Sequence, residues 1–444
     1  MLPAINISNS NPKNLLLKKI QTGHAKSGVI GLGYIGLPLA IEMARAGIEV
    51  TGIEINPVRV ETLLSGRSYL KNVPSSLVSE YVGSGKLTVT GSIEEIKSLD
   101  IICISVPTPY RKTQAADYSI ILNLIRELCS RVKPGQLIVL ESTTSPGTMD
   151  NLIAPLFRDA GFEIGEDLFL AYSPVREDPG NRKFKHKTIP KVLGGYSSHC
   201  TEIAALFYSQ FVDKVVPVSS AKVAEMVKFL ENTFRSVNIA MINEISKICH
   251  KLNVNVWEVI ETAKTKPFGF MPFYPGPGLG ESGNRVDSVY QSLNSGLRGL
   301  GSKFIDLAGQ INSSMPEFII VRINQLLNSH RKSLAGSKIM IIGMAYKKDV
   351  EETSESPAIE VAKLLKENGA DLRFYDPFVQ QVSIGGEFIQ RTGLENGVLK
   401  SCDLVVILTD HSGVDYKRIA KYSKLIFDTR NAMHRLQWPQ VVRL

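Results

Sequence analysis

Gly28-Val-Ile-Gly-Leu-Gly-Tyr-Ile-Gly-Leu-Pro-Leu-Ala40 reads as the end of a short buried strand, a three-glycine turn and the start of a helix. Gly31 permits the tight turn, Gly33 lets the backbone approach a pyrophosphate, and Gly36 allows the helix to pack close to the strand. Tyr34 and Ile35 complete the loop. The free N–H groups of the helix N-terminus point at the same place, where phosphate oxygens are favoured. Glu54 closes the next apolar run, Glu49-Val-Thr-Gly-Ile-Glu54. An acid there accepts hydrogen bonds from an adenosine ribose and repels a 2′-phosphate. Strand, turn, helix and acid in register predict an NAD site, with NADP disfavoured.

Outward from this segment the pattern continues. Val29-Ile30, residues 49–54, Ile101-Ile-Cys-Ile-Ser-Val106 and Leu137-Ile-Val-Leu140 are short apolar runs separated by amphipathic segments of helix length, which predicts a parallel, doubly wound sheet over 28–222. Residues 222–265 lack Gly and Pro. Val223, Met226, Val227, Leu230, Phe234, Val237, Ala240 and Met241 recur there at helical spacing, predicting one long helix through the centre of the molecule. A Pro/Gly-rich loop, 267–283, precedes more helix to about residue 328, and Ser333–Ser337 forms a small-residue linker with Gly336 as breaker. Lys338-Ile-Met-Ile-Ile-Gly-Met-Ala345, Leu372-Arg-Phe-Tyr375, Leu404-Val-Val-Ile-Leu408 and Leu425-Ile-Phe427 then begin a second strand–helix set. The expectation is two Rossmann-like α/β domains joined by a long central helix and helical middle: 1–222 for the cofactor, 223–330 central, 331–444 C-terminal.

Composition excludes other classes. The 444 residues are 43% hydrophobic and 21% charged, with no apolar run of about 18 residues to span a membrane. Met1–Asn14 lacks the apolar region of a signal peptide. Five scattered cysteines suggest neither a disulfide frame nor a metal site, so a reducing cytoplasm fits. The net charge of +8 is spread out except for Asn181-Arg-Lys-Phe-Lys-His-Lys187, which reads as a solvated loop. No nucleic-acid partner, no membrane and no metal are expected, and His411 reads as satisfying a strand-end turn.

Lys228 and Asn232 lie four apart and therefore on one helix face. Beside a nicotinamide, such an ammonium and amide would stabilise an alkoxide, although by spacing alone an ordinary solvated Lys and a polar surface Asn is the favoured reading. Thr143, in Glu141-Ser-Thr-Thr-Ser-Pro-Gly147, falls at a strand's C-terminal end, where open α/β sheets bind ligands; a capping turn is the alternative. Asp287 reads as a base or as an ordinary loop carboxylate.

These strings, with Val106-Pro-Thr-Pro109, Ser173-Pro174, Asp178-Pro-Gly-Asn181, Glu225-Met-Val-Lys-Phe-Leu-Glu-Asn232, Lys266-Pro-Phe-Gly-Phe-Met-Pro-Phe-Tyr-Pro-Gly-Pro-Gly278, Ala345-Tyr-Lys-Lys-Asp349, Glu355-Ser-Pro357 and Asp428-Thr-Arg-Asn431, resemble the nucleotide-sugar 6-dehydrogenases, most closely the UDP-N-acetylhexosamine branch. The resemblance implies NAD bound in the first domain and a UDP-sugar in the last, a homodimer built by the long helix, and oxidation of the sugar C6 hydroxyl to a carboxylate for polysaccharide precursors. It assigns Glu54, Arg59, Thr108, Thr143 and Glu177 to NAD, Lys228, Asn232 and Asp287 to the chemistry, and Phe273, Tyr274, Gly278, Lys347 and Arg430 to the nucleotide sugar.

Three positions depart from the family pattern. Its Gly-Gly-x-Cys loop is Gly280, Glu281, Ser282 and Gly283 here, so the nucleophilic thiol is absent. The glutamate after Ser-Pro is Val175, and the arginine before Glu-Ser-Pro is Ser354. Thiol capture of the aldehyde and water handling both serve the second oxidation. The expectation is therefore a dehydrogenase impaired in the aldehyde-to-acid step, unless Glu281, Ser282, Asn284 or Arg285 supplies a replacement. The alternative is a pseudoenzyme that binds NAD and UDP-sugar to regulate or scaffold a partner.

Overall fold

The computed structural model describes residues 11–108, 117–178, 181, 184, 186–280, 302–354, 356–436 and 438–444. By their internal contacts these fall into two compact units, one running to Leu230 and one from Glu231, so the boundary lies inside a helix.

The first unit is built on eight strands: β1 (Ser27–Ile30), β2 (Val50–Ile53), β3 (Leu87–Thr90), β4 (Ile101–Ile104), β5 (Leu137–Leu140), β6 (Phe169–Tyr172), β7 (Lys191–Gly195) and β8 (Val215–Val218). Their order is β3-β2-β1-β4-β5-β6-β7-β8. All neighbours run parallel except β6 and β7. A parallel sheet is covered on both faces, so its strands need no polar side, and every residue of β4, β5 and β6 is buried. Alternation then sorts their side chains into two cores. Ile101, Cys103, Leu137, Val139, Phe169 and Ala171 join one core, whereas Ile102, Ile104, Ile138, Leu140, Leu170 and Tyr172 join the other. The strand order reverses between β1 and β4, which opens a crevice beyond their C-terminal ends. Outside the predicted strand–helix set, a helix at Pro12–Gln21 buries Leu16, Leu17 and Ile20 and pairs Lys19 with Asp100 at 2.6 Å.

The expected continuous helix over 222–265 is two helices. The first spans Ala221–Lys251. Asn253 then adopts a left-handed conformation (φ 54°), and the Asn255 side chain accepts the Trp257 N–H to start a new helix at Val256. Two asparagines, suited to αL and N-cap positions, make this break without Gly or Pro. The long helix also differs from the expected interior stripe. Val223, Met226, Leu230, Phe234 and Met241 are exposed, Leu230 by 65%, while Ala240 is buried.

The second unit carries β9 (Lys338–Ile342), β10 (Asp371–Tyr375), the hairpin β11 (Gln381–Ile384) and β12 (Glu387–Gln390), β13 (Leu404–Ile407), β14 (Ile426–Asp428) and β15 (Val441–Arg443). Its parallel sheet has the order β10-β9-β13-β14-β15. Helices at Lys303–Ser313 and Met315–Ser329 precede it, and Gly336 (φ +78°) turns the chain into β9.

Candidate functional site

The Gly31–Gly36 turn follows β1 and opens the helix Gly36–Arg45, with Ile35 at its N-cap position. Its three glycines differ in cause. A Cβ on Gly31 would sit 2.4 Å from the Ser105 carbonyl oxygen, and one on Gly36 would sit 1.9 Å from the Gly31 carbonyl oxygen, so the protein's own backbone excludes larger residues at both. A Cβ on Gly33 meets nothing within 4 Å. The backbone there is open, which lets a pyrophosphate approach it. Tyr34 is exposed at the same edge.

Glu54 directly follows β2, with 5% exposure. Its Oε2 accepts the Leu32 N–H at 3.2 Å and its Oε1 the Asn56 N–H at 3.0 Å. Arg59 stands 3.5 Å from Oε2, its guanidinium over the Tyr69 ring at 5.2 Å. The Tyr69 hydroxyl donates to the Leu32 carbonyl. Burial and the Glu54 charge push this phenol up to about 12, so it remains a donor. The acid is thus tied to the glycine turn from both sides.

Beyond β4 and β5, the loops carrying Thr108 and Thr143 are stitched by Ser142, which accepts the Val106 N–H at 3.0 Å and donates to the Val106 carbonyl at 2.8 Å. Thr143 is half-exposed between buried Ser142 and Thr144, so it is available to a ligand. Beneath the loop, the buried Glu141 carboxylate pairs with Lys191 at 2.9 Å and accepts from the Tyr208 hydroxyl. Lys228 projects from the long helix with its ammonium 2.5 Å from the Val175 carbonyl oxygen. Glu177 is half-buried two residues beyond Val175.

In the second unit, Asn232 is buried and its amide oxygen accepts from Arg235 at 2.8 Å. Phe273 packs edge-on against Phe234, and Tyr274 stacks on Trp257 and donates to Glu261 at 2.7 Å. The Gly276 N–H is held by Asn243 at 3.0 Å, and Asn243 in turn donates to Asn312 at 3.0 Å. The Arg430 guanidinium lies 2.4 Å from where a Gly276 Cβ would be. Only its Nε finds a protein acceptor among the described residues, the Leu408 carbonyl at 2.9 Å, which leaves both terminal amino groups for an anion. Gly278 (φ +135°) is packed at Pro357.

Lys347 lies in the turn after β9, and this turn is governed by residues the sequence reading did not single out for the site. Asp376, fully buried, takes the N–H groups of Met344 and Ala345 on one oxygen and those of Phe378 and Val379 on the other. His411 Nε2 lies 3.0 Å from Asp376, and its Nδ1 accepts the Asp349 N–H at 2.9 Å. With Nδ1 as acceptor, the ring proton is on Nε2, and His411 is neutral. Although burial opposes it, the His411 hydrogen bond and the amides hold the Asp376 carboxyl below its ordinary range. Glu225 was also missed as a site residue. Its own segment carries no signal: Glu225 stands between buried Ala224 and exposed Met226 on the long helix.

Asp287, Gly283, Glu281, Ser282, Asn284 and Arg285 lie outside the described residues. All five cysteines lie within them. Four are buried and Cys129 is half-buried. Burial raises the thiols of Cys103, Cys129 and Cys402, the first to about 12.

The chain matches three sequence models of one family, the UDP-glucose/GDP-mannose dehydrogenases: the NAD binding domain over residues 25–212, the central domain over 222–314 and the UDP binding domain over 340–435. It is 33% identical to the UDP-N-acetyl-D-mannosamine dehydrogenase of Methanocaldococcus jannaschii, covering 92% of this chain and 93% of that one. Among solved structures it is similar to UDP-D-ManNAc dehydrogenase from Pyrococcus horikoshii, with TM-score 0.83, 30% identity and coverage of 94% and 98%. It is likewise similar to the UDP-N-acetyl-mannosamine dehydrogenase of Staphylococcus aureus, with TM-score 0.80, 32% identity and coverage of 94% and 97%.

Gly33→Ala is expected to fold within about 0.5 kcal/mol of the natural chain yet bind NAD about tenfold more weakly, whereas Gly36→Ala loses about 2 kcal/mol or more. Urea melts and NAD titration of both variants separate the two causes. Burial also pushes the Glu225 carboxyl up to about 7 from 4.5, against the opposing bonds from Gly147 and Met149. A carboxyl raised on folding contributes stability that is fully present below its unfolded value and is lost as pH rises through the folded one. Stability of the first unit should fall by about 3 kcal/mol from this group between roughly pH 4.5 and 7. Urea midpoints across this range should show a flatter profile for Glu225→Gln.

Proposed function

For a chain that belongs to the UDP-glucose/GDP-mannose dehydrogenase family, we propose a single two-electron oxidation of the C6 hydroxyl of a UDP-sugar, either a UDP-N-acetylhexosamine or a UDP-hexose, with the aldehyde as product. The protein is an NAD-dependent oxidoreductase. The open cradle at Gly33, the Glu54 carboxylate and the helix N-terminus suit NAD, with Arg59, Thr108, Thr143 and Glu177 as further contacts. When bound, NAD supplies the hydride acceptor.

The observation that carries the reading is the Lys228 ammonium fixed at the Val175 carbonyl. A cation held there stabilises the negative charge that grows on the sugar oxygen as the C6–H bond breaks. Asn232, one turn further along the helix, adds an amide donor, and Asp287 takes the hydroxyl proton. Two departures in sequence bear on the second step. Val175 stands where the family pattern has a glutamate, and Gly283 where it has the cysteine, so these positions supply neither the thiol nor the water-handling acid for aldehyde oxidation. The UDP-sugar would be held by Phe273, Tyr274, Gly278, Lys347 and the Arg430 amino groups. The division into 1–222, 223–330 and 331–444 follows this allocation of roles. The exposed stripe of Val223, Met226, Leu230 and Phe234 suits pairing with a second copy of the chain.

Single-turnover NADH formation on a panel of UDP-hexoses and UDP-N-acetylhexosamines tests the chemistry. One hydride per sugar, with aldehyde trapped by hydroxylamine, is expected, and Lys228→Met should slow it by about 10²–10³-fold. Gly283→Cys run alongside should gain a second hydride. Two hydrides from the natural protein would overturn the reading, and none with both ligands bound would leave a regulatory or scaffolding pseudoenzyme. In light scattering, the natural chain should run as a dimer and Leu230→Glu as a monomer.

A further inference from the structure

Glu225 lies on the first turns of the long helix, fully buried, and receives donors from one stretch of chain. The Thr144 hydroxyl at 3.4 Å and the Met149 N–H at 3.0 Å reach Oε1, and the Gly147 N–H at 2.6 Å reaches Oε2. The backbone donors impose an acceptor on each oxygen, which is the pattern of a carboxylate. The same stretch carries half-exposed Thr143 at the edge of the nucleotide crevice and is joined to the Ser105–Thr108 loop through Ser142. Lys228 follows Glu225 by three residues, so both stand on neighbouring positions of one helix.

We infer that Glu225 is a positioning residue of the NAD site, its carboxylate fixing the Glu141–Gly147 loop to the helix that carries Lys228 so that Thr143 and Lys228 keep a common geometry. The inference deepens the proposed function by assigning Thr143 its support, and it rests on NAD binding alone, not on the sugar or the number of hydrides.

The groups facing this carboxylate are Tyr118, Tyr172, Asp150 and Lys222. Burial, with the Glu225 charge adding to it, raises both phenols. Lys222, raised by its bond to Asp150 at 3.0 Å, stays a cation. Glu225 itself, at about 7, exchanges its proton near neutrality. Burial makes the charge costly to the fold as a whole, but the loop's hydrogen bonds favour the charged form. Protonation turns one acceptor oxygen into a donor facing those donors and frees the loop while the carboxyl stays buried. NAD binding therefore favours the carboxylate and expels a proton.

NAD titration calorimetry on the full chain, at about pH 6, 7 and 8 and in two buffers of different ionisation heat, tests this beside thermal melts. The natural protein should bind NAD about tenfold more tightly at the alkaline end and release protons on binding. Glu225→Gln should bind on the order of tenfold more weakly, without pH dependence or proton release. Glu225→Asp, which keeps the charge, should restore the pH dependence and part of the affinity. The inference is overturned if Glu225→Gln melts lower but keeps the natural pH dependence and proton release, which is the outcome of a merely structural role. Should Glu225→Gln not fold, absence of proton release in the natural protein overturns it equally.

Discussion

The approach of Gly36 to the Gly31 carbonyl is the constraint from which the first unit follows. A helix start that admits no methyl group between itself and the strand before it must lie directly over that strand, and its N-terminal N–H groups then face the crevice where the strand order reverses. The Glu54 carboxylate reaches this turn through Leu32, and Tyr69 reaches it through the Leu32 carbonyl. Cofactor shape is thus imposed by backbone packing, with side chains added around a turn that has little freedom of its own.

How much of this was legible follows from the kind of signal each part carries. β4, β5 and β13 stand out because strands buried on both faces are unbroken apolar runs, and the dinucleotide turn stands out because glycine spacing is local. β3 carries no such signal, since Leu87-Thr-Val-Thr90 is short and alternates at the sheet edge. The hairpin Gln381–Ile384 with Glu387–Gln390 is mostly polar on its exposed face and carries no comparable run. The helix break at Asn253 was missed because asparagine tolerates the left-handed conformation without announcing it as glycine does.

Site residues divide in the same way. Glu54, Lys228 and Thr143 occupy the elements their motifs predict. Asp376, His411, Ser142 and Glu225 are legible only once distant segments meet, since each acts by receiving backbone N–H groups from a loop elsewhere in the chain. A polar residue that satisfies another segment's backbone has no spacing rule in its own segment. Such residues matter to the site because loops at strand ends, unlike strands, have no ladder of their own to hold them. In the second unit the turn bearing Lys347 is held by a carboxylate and a neutral imidazole, and the Pro/Gly-rich loop by Asn243 and Asn312.

The burial of four of the five thiols bears on the conditions in which the protein works. An oxidant such as peroxide attacks thiolates that are exposed and of low pKa. Here four cysteines are enclosed, and Cys103, Cys129 and Cys402 are held above their ordinary pKa. The single oxidation proposed for Lys228 and Asn232 would use no sulfur. On that proposal, electron transfer in this chain would be uncoupled from the peroxide and disulfide balance of its surroundings, and an oxidative burst that silences a thiol-dependent dehydrogenase would leave it running.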